Sequence, residues 1–339
     1  MNGQLRDGVV AVAGNARQQF YDARGYGTPD GGNAIRVSRV EAAHLLFRGD
    51  LDRIVDHDGD GDRLDFEQFF VDSASAVDRF ALRYLVYAEL RDRGFYLSPA
   101  REGWPGADDN AWTDLTVYPR GTKPGDGDPA HRIAVVGERA SVPAGELGAV
   151  TLAVVDEESE ISYFETDTPD FEGGTTYRPP DSLNGSLIDD RVVVWDAPDG
   201  FYEHGFYGQP LTARQAIVHS AVQLSLVEAA GLAAEDQLEL DDVDGPAVEA
   251  ISERGRAVEG ERFDRRLAVY RALRSQQVVP KTGYKFGADF RTYDTVESVD
   301  ALPHSERLVR VVEPDHKFDP RELSLDVRLA GGVRKRMVF

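Results

Sequence analysis

The chain is written twice. Phe20-Tyr21-Asp22-Ala23-Arg24-Gly25-Tyr26-Gly27-Thr28-Pro29 is answered by Phe201-Tyr202-Glu203-His204-Gly205-Phe206-Tyr207-Gly208-Gln209-Pro210, with Phe, Tyr, an acid, Tyr, Gly and Pro coinciding at one constant spacing. Each stretch follows an apolar run of strand type, residues 9–13 and 192–195. An internal duplication of this kind constrains the fold more than any composition does, because both halves must be able to adopt one architecture. The copies continue in step. Residues 40–47 and 213–230 carry apolar side chains at helical spacing, and each run ends near a glycine (Gly49, Gly231) suited to close a helix. Phe80, Tyr87, Leu90 and Arg91 then match Phe263, Tyr270, Leu273 and Arg274 on amphipathic helices. Apolar strands follow at 94–97 and 277–279, and Asp114-Leu115-Thr116-Val117-Tyr118 corresponds to Asp289-Phe290-Arg291-Thr292-Tyr293.

The expected class is therefore α/β, as two tandem repeats. Each repeat has an α+β N-terminal subdomain, mainly helical, followed by a β-rich subdomain. The boundaries read as 1–93 and 94–167 for the first copy and 190–276 and 277–339 for the second. A Pro/Asp/Gly-rich stretch, 168–189, reads as an exposed linker. Two copies of a two-part unit would mimic a dimer of half-length chains.

A chain of 339 residues exceeds one ordinary core, and 41% hydrophobic content supports globular packing. No apolar run is long enough to span a bilayer, and Met1 to Asp7 lack the features of a signal peptide. With no cysteine there is no disulfide framework and no thiolate chemistry, and the expected location is the cytoplasm. The net charge is −22, and only five of the 38 basic residues are lysine. That balance reads as adaptation to high salt and argues against a general nucleic-acid binder. The exception is local. Arg321, Arg328, Arg334, Lys335 and Arg336 lie close together, a basic patch suited to RNA read by shape and stacking.

Chemistry concentrates near the same end. Val279-Pro280-Lys281-Thr282-Gly283-Tyr284-Lys285-Phe286-Gly287-Ala288-Asp289-Phe290-Arg291-Thr292-Tyr293 reads as strand, turn and strand, with Tyr293 at its end. His304 is expected to open the next strand, and Lys335 follows a helix. A phenol, an imidazole and an ammonium can supply a base, an acid and a fixed positive charge, which is enough for phosphoryl transfer at RNA. The first copy keeps Tyr118, but its next histidine, His131, comes at a different spacing and reads as a surface-loop residue. Laying Leu147 to Leu152 on the C-terminal segment puts Val150 opposite Lys335. Valine cannot hold a charge, so only the second copy is expected to be catalytic.

Taken with Leu302-Pro303-His304-Ser305-Glu306 and Val333-Arg334-Lys335-Arg336-Met337-Val338, the stretch resembles the archaeal tRNA-splicing endonuclease family, in its fused two-repeat homodimeric form from salt-loving archaea. The resemblance implies a restriction-endonuclease-like catalytic subdomain, no cofactor and no metal. It implies a precursor tRNA substrate cut at bulge-helix-bulge motifs, leaving 2′,3′-cyclic phosphate and 5′-hydroxyl ends. Tyr293 would be the general base, His304 the acid, and Lys335 the cation facing the pentacoordinate phosphate. Arg328 matches a position that stacks on a splayed base, and Asp156-Glu157-Glu158 matches an acidic hairpin loop that docks into the partner of a homodimer. No membrane partner is implied. The first copy runs on past Val155 into Ile161-Ser162-Tyr163-Phe164, whereas the second reads only as far as Phe339, without equivalent closing strands. The competing expectation is a non-catalytic RNA-binding or assembly subunit, and Lys335 is the residue that separates the two.

A rival motif lies in the first copy. Asp56, Asp58, Asp60, Gly61 and Glu67 fit the ligand spacing of a calcium-binding loop, but Arg63 stands where an apolar residue is usual and no second hand accompanies it. The reading adopted is a solvated loop joining two helices. Gly283 to Gly287 lacks the Lys-Ser/Thr ending of a phosphate loop, and Tyr284 and Phe286 read as core strand residues.

Overall fold

The computed structural model describes residues 1–107, 110–213 and 216–339. The chain divides into two compact units, Met1–Thr168 with Lys317–Arg321, and Pro169–His316 with Glu322–Phe339.

Unit 1 begins with β1 (Asn2–Arg6), β2 (Val9–Val12), β3 (Thr28–Pro29), β4 (Ile35–Ser38), β5 (Arg53–Asp56) and β6 (Arg63–Leu64), which form one sheet in the order β3-β4-β2-β1-β5-β6. Three helices accompany it: α1 (Arg39–Phe47), α2 (Phe66–Ala76) and α3 (Phe80–Asp92). The front part is thus sheet and helix together, not mainly helical. The cause is visible in β1 and β2, whose alternate residues Leu5, Val10 and Val12 are wholly buried. Capping boxes start α1 (Ser38 with Glu41) and α2 (Asp65 with Gln68), satisfying backbone donors that the first turn leaves free. A second sheet follows from β7 (Tyr96–Pro99), β8 (Leu115–Tyr118), β9 (His131–Gly137), β11 (Thr151–Val155) and β12 (Ile161–Glu165), with β10 (Val142–Pro143) standing apart. His131 opens β9 opposite Val117; it is a strand residue, not a loop residue.

Asp56 to Glu67 is not a loop between helices either. Ile54 pairs with Leu64 and Val55 with Arg63, so the stretch is the tip of a β-hairpin. Its carboxylates serve the backbone: Asp56 accepts from the Asp58 and Gly59 N–H groups, and Asp58 accepts from those of Asp7 and Gly8.

Unit 2 opens with β13 (Leu183–Ile188), inside the stretch expected to be linker, then β14 (Arg191–Val194), β15 (Gln209–Ala213) and β16 (Ala216–Ser225). Before β13, residues 173–175 already bond to Gln276, Gln277 and Asp294. Then come α4 (Leu226–Ala233), β17 (Leu238–Leu240), α5 (Ala247–Glu259) and α6 (Arg262–Ser275), the sheet order being β15-β16-β14-β13-β17. Most of the helix expected over 213–230 is therefore strand, with 214 and 215 outside the described residues. The true helix start is marked by a capping box, Ser225 with Glu228. Gly231 does not close α4. It lies within the helix because Tyr270 packs there, and a Cβ would come within 2.8 Å of the tyrosine ring. The helix ends instead at left-handed Asp236, where the Gln237 N–H reaches the Leu232 carbonyl, as Gly49 ends α1.

The last sheet contains β18 (Val279–Thr282), β19 (Phe290–Tyr293) and β20 (Arg307–Val309). The chain next gives β21 (Lys317–Phe318) to unit 1, antiparallel to β10. It returns as α7 (Pro320–Gly332), whose bulk lies in unit 2, and β22 (Arg336–Val338), parallel to β20, completing the order β18-β19-β20-β22. Among the described residues no helix is long and apolar enough to cross a membrane.

Candidate active site

Tyr293 ends β19, and the order of the sheet decides what stands beside it. Thr292 opposes Arg307 on β20, and Arg307 opposes Arg336 on β22. Tyr293, the segment before β20 and the residue before β22 therefore lie at the same end of three adjacent strands. Those positions carry Tyr293, His304 and Lys335.

Tyr293 is 6% exposed and belongs to a small apolar cluster with Phe206, Val279 and Val296, against which Leu302 also packs. Its ring meets Phe206 edge-on, with centroids 5.6 Å apart. The Arg291 guanidinium lies 5.7 Å from the centroid of the tyrosine ring. Arg291 Nε is buried and, among the described residues, has no hydrogen-bond partner.

His304 is exposed, in the irregular segment that precedes β20 rather than at the strand's first residue. Its neighbours fix it from both sides. Leu302 packs on the Tyr293 cluster, and Ser305 is buried and receives Lys335.

Lys335 owes its place to a helix end. Arg334 adopts a left-handed conformation, and the Lys335 N–H returns to the Ala330 carbonyl, closing α7 and turning the chain into β22. Its ammonium donates to the Ser305 hydroxyl at 2.6 Å and to the Ser305 carbonyl, and stands 5.6 Å from the Phe286 ring. Partial desolvation, then the nearby Arg291 charge, lower its pKa from the ordinary lysine value.

The other expected positions lie on separate elements. Arg328 is exposed on α7, in the turn before the helix end that carries Lys335. Asp156, Glu157 and Glu158 form the tight turn between β11 and β12, where the Asp156 carboxylate accepts from the Glu158 and Glu160 N–H groups and Arg139 pairs with Glu157 at 2.6 Å. Tyr284 is 86% exposed on a 3-10 turn, Tyr284–Phe286, not in a core strand. Its two-residue offset from Thr282 places it past the end of β18.

Strand register corrects one correspondence between the halves. Ile133, opposite Leu115, pairs with Thr151; Val309, opposite Phe290, pairs with Val338. Counting back equally from Thr151 and Val338 puts Gly148, not Val150, in the place of Lys335. Sequence reading also passed over Phe206, Lys281, Arg291 and Ser305. Two of them were visible as mismatches between copies, since Gly25 stands against Phe206 and Thr116 against Arg291. Among the described residues no three His, Asp or Glu side chains gather as a metal site.

Comparison with known proteins identifies the family. Residues 263–339 match the model of the tRNA intron endonuclease catalytic C-terminal domain, and residues 1–70 and 183–249 both match that of its N-terminal domain. The chain is 54% identical to a tRNA-splicing endonuclease of Haloferax volcanii and 53% identical to one of Halobacterium salinarum, in each case over 100% of this chain and 94% of the relative. It is 35% identical to a tRNA-splicing endonuclease of Methanococcoides burtonii, over 100% of this chain and 95% of the relative. With that identity sustained along its whole length, the chain belongs to the tRNA-splicing endonuclease family.

Proposed function

We propose that this enzyme excises introns from precursor tRNA by cutting at bulge-helix-bulge motifs, with Tyr293, His304 and Lys335 as its catalytic residues. Tyr293 takes the proton of the 2′-hydroxyl beside the scissile phosphate. The 2′-oxygen bonds to phosphorus while the bond to the 5′-oxygen breaks. His304 protonates that leaving oxygen, and Lys335 stabilises the charge of the pentacoordinate phosphate. The products are a 2′,3′-cyclic phosphate and a 5′-hydroxyl, and the step balances without a metal. The observation that carries this reading is the segment 302–305, which links the Tyr293 cluster to the Lys335 ammonium with His304 between them.

The chain is read as two tandem copies, with the second catalytic. Its support is local as well as topological. Arg91 stacks on Tyr26 at 4.0 Å, and Arg274 on Tyr207 at 3.9 Å. Glu41 accepts from the Gly27 and Ser38 N–H groups, and Glu228 from those of Gly208 and Ser225. Gly148 in place of Lys335 leaves the first copy without its cation. The copies are assigned to 1–167 and 183–339, since β13 pairs with β14 and β17 as β1 does with β2 and β5. Exposed Arg328 stacks on a splayed bulge base. The Asp156–Glu158 turn docks on a second copy of the chain in a homodimer, and the enzyme works in the cytoplasm.

The test is cleavage of an end-labelled bulge-helix-bulge RNA in high salt with EDTA, comparing wild type with Tyr293→Phe and His304→Ala. Two cuts by the wild type that leave cyclic phosphate, lost in both variants, are the expected result. A His304→Ala variant that cuts at the wild-type rate would remove His304 from the mechanism. Sedimentation of Asp156→Ala/Glu157→Ala/Glu158→Ala tests the homodimer, which should dissociate.

A further inference from the structure

Phe206 sits where a bulky residue is not at home. Its φ is +49°, the left-handed region in which Cβ crowds the neighbouring carbonyl, and the matching position of the first half is Gly25, at φ +64°. The two other left-handed replacements of a glycine in unit 2, Asp236 for Gly49 and Gln277 for Gly94, are polar residues at helix ends. Phe206 is different: it is 5% exposed, and its ring is the edge-on neighbour of Tyr293.

A buried ion pair holds it there. Lys281 Nζ donates to the Phe206 carbonyl at 3.2 Å, to the Gly208 carbonyl at 3.1 Å and to Glu228 Oε1 at 2.7 Å. The same ammonium stands 4.9 Å from the Phe206 ring centroid. Glu228 in turn accepts the Gly208 N–H, so one lysine and one carboxylate close the turn on both sides. Burial opposes the charge on Glu228, but Lys281 and the hydrogen bonds together keep its pKa below the usual range. In the first half the corresponding carboxylate, Glu41, pairs with no lysine among the described residues. The place of Lys281, opposite Arg291, is taken by Ser98, opposite Thr116. Burial there raises the pKa of Glu41. Both halves keep the tyrosine at the strand end, Tyr118 and Tyr293. Only the second gives it a phenylalanine wall and the cation that anchors the wall.

We propose that Phe206, anchored by Lys281 and Glu228, is a positioning residue that fixes the Tyr293 ring for proton abstraction. The turn forms in the first half with glycine, so the phenylalanine is not required to make it. A strained backbone retained next to a reacting group is where a geometric constraint on chemistry is to be looked for. The proposal rests on Tyr293 being the base.

The test is single-turnover cleavage of the bulge-helix-bulge RNA by the full-length chain, with RNA affinity and thermal unfolding measured in parallel. Phe206→Gly, which copies the first half, should bind RNA as wild type does while its cleavage rate falls about 10- to 100-fold. Phe206→Leu should recover part of that rate, and Lys281→Met should lower it in the same sense. A Phe206→Gly rate within about twofold of wild type overturns the proposal, as does a loss confined to RNA affinity. If Phe206→Gly does not fold, Phe206→Leu decides: full activity overturns the proposal, and slowed cleavage with unchanged affinity supports it. Tyr293→Phe separates this from the parent reading. An active Tyr293→Phe removes the base itself, whereas an inactive one beside a fully active Phe206→Gly removes only the wall.

Discussion

Among the described residues the Lys335 ammonium hydrogen-bonds to one residue, Ser305, through both its hydroxyl and its carbonyl. Ser305 adjoins His304, so the proposed cation and the proposed acid share one short piece of backbone. Replacing Lys335 by methionine removes the charge and should slow cleavage by about 100- to 1,000-fold. Ser305→Ala leaves the charge but loosens its tether, and a loss of about tenfold is expected. Single-turnover rates on a bulge-helix-bulge RNA measure both. A Ser305→Ala loss that persists in the Lys335→Met background would mean that Ser305 acts directly and not through Lys335.

His44 gives the first unit a pH limit. It is 3% exposed, its Nδ1 lies 2.9 Å from the Tyr26 hydroxyl, and burial, then the Arg91 and Arg48 charges, lower its pKa to about 4. An unfolded histidine titrates near 6.5, so the folded chain binds fewer protons between these values. The stabilisation is present above pH 6.5 and is lost as pH falls through about 4. With the arginine charges partly screened, it amounts to roughly 2 kcal/mol. Unfolding free energies measured from pH 7.5 to 4 should decline over that window, and His44→Gln should flatten the decline.

Helix-forming tendency and packing disagree at Gly231. Alanine is favoured over glycine inside a helix by about 1 kcal/mol, yet Gly231→Ala should destabilise the chain by roughly 1–3 kcal/mol because Tyr270 occupies the space. At Gln277, left-handed and just past the end of α6, the sign reverses. Gln277→Gly should stabilise by about 0.5–1 kcal/mol. Denaturant unfolding of both variants reads the two signs directly.

The hairpin tip of Asp56 to Asp62 should be indifferent to calcium, because the Asp56 and Asp58 carboxylates are engaged by backbone N–H groups. Millimolar calcium, or EDTA, should leave the melting temperature unchanged. Asp58→Ala should lower it, since the N–H groups of Asp7 and Gly8 lose their acceptor. A calcium-dependent rise in melting temperature would restore the metal reading.

Much of this was legible in the chain itself. Ser38 with Glu41 announces α1, and Phe80 to Leu90 carries the buried face of α3, because capping and helical spacing are local properties. The run before Ser225 was misread because Ala221, Val222 and Leu224 fit a helical period as well as a strand. The box at Ser225 and Glu228 is the local signal that divides them. Tyr284 reads as core because it is an aromatic next to a strand, but the turn it occupies leaves it exposed. Tyr293, His304 and Lys335 could be proposed as a group from their motifs and spacing, and strand register brings those positions to one end of the sheet. Phe206 shows in the sequence only as a mismatch with Gly25, and its meeting with Lys281 depends on a left-handed φ and on strand register, neither of which is written in residue order.

The segment Lys317–Arg321 sets an order of events for the newly made chain. Unit 1 includes these residues, and among the described residues β10 has only β21 as its strand partner. Domains commonly mature from the N-terminus as the ribosome delivers them, but here the first unit cannot acquire this strand pair until Lys317 and Phe318 have emerged. The residues that finish unit 1 come immediately before the helix that delivers Lys335. Pairing of β21 with β10 and delivery of the proposed cation, Lys335, are therefore consecutive steps of synthesis, and a chain interrupted before them lacks both.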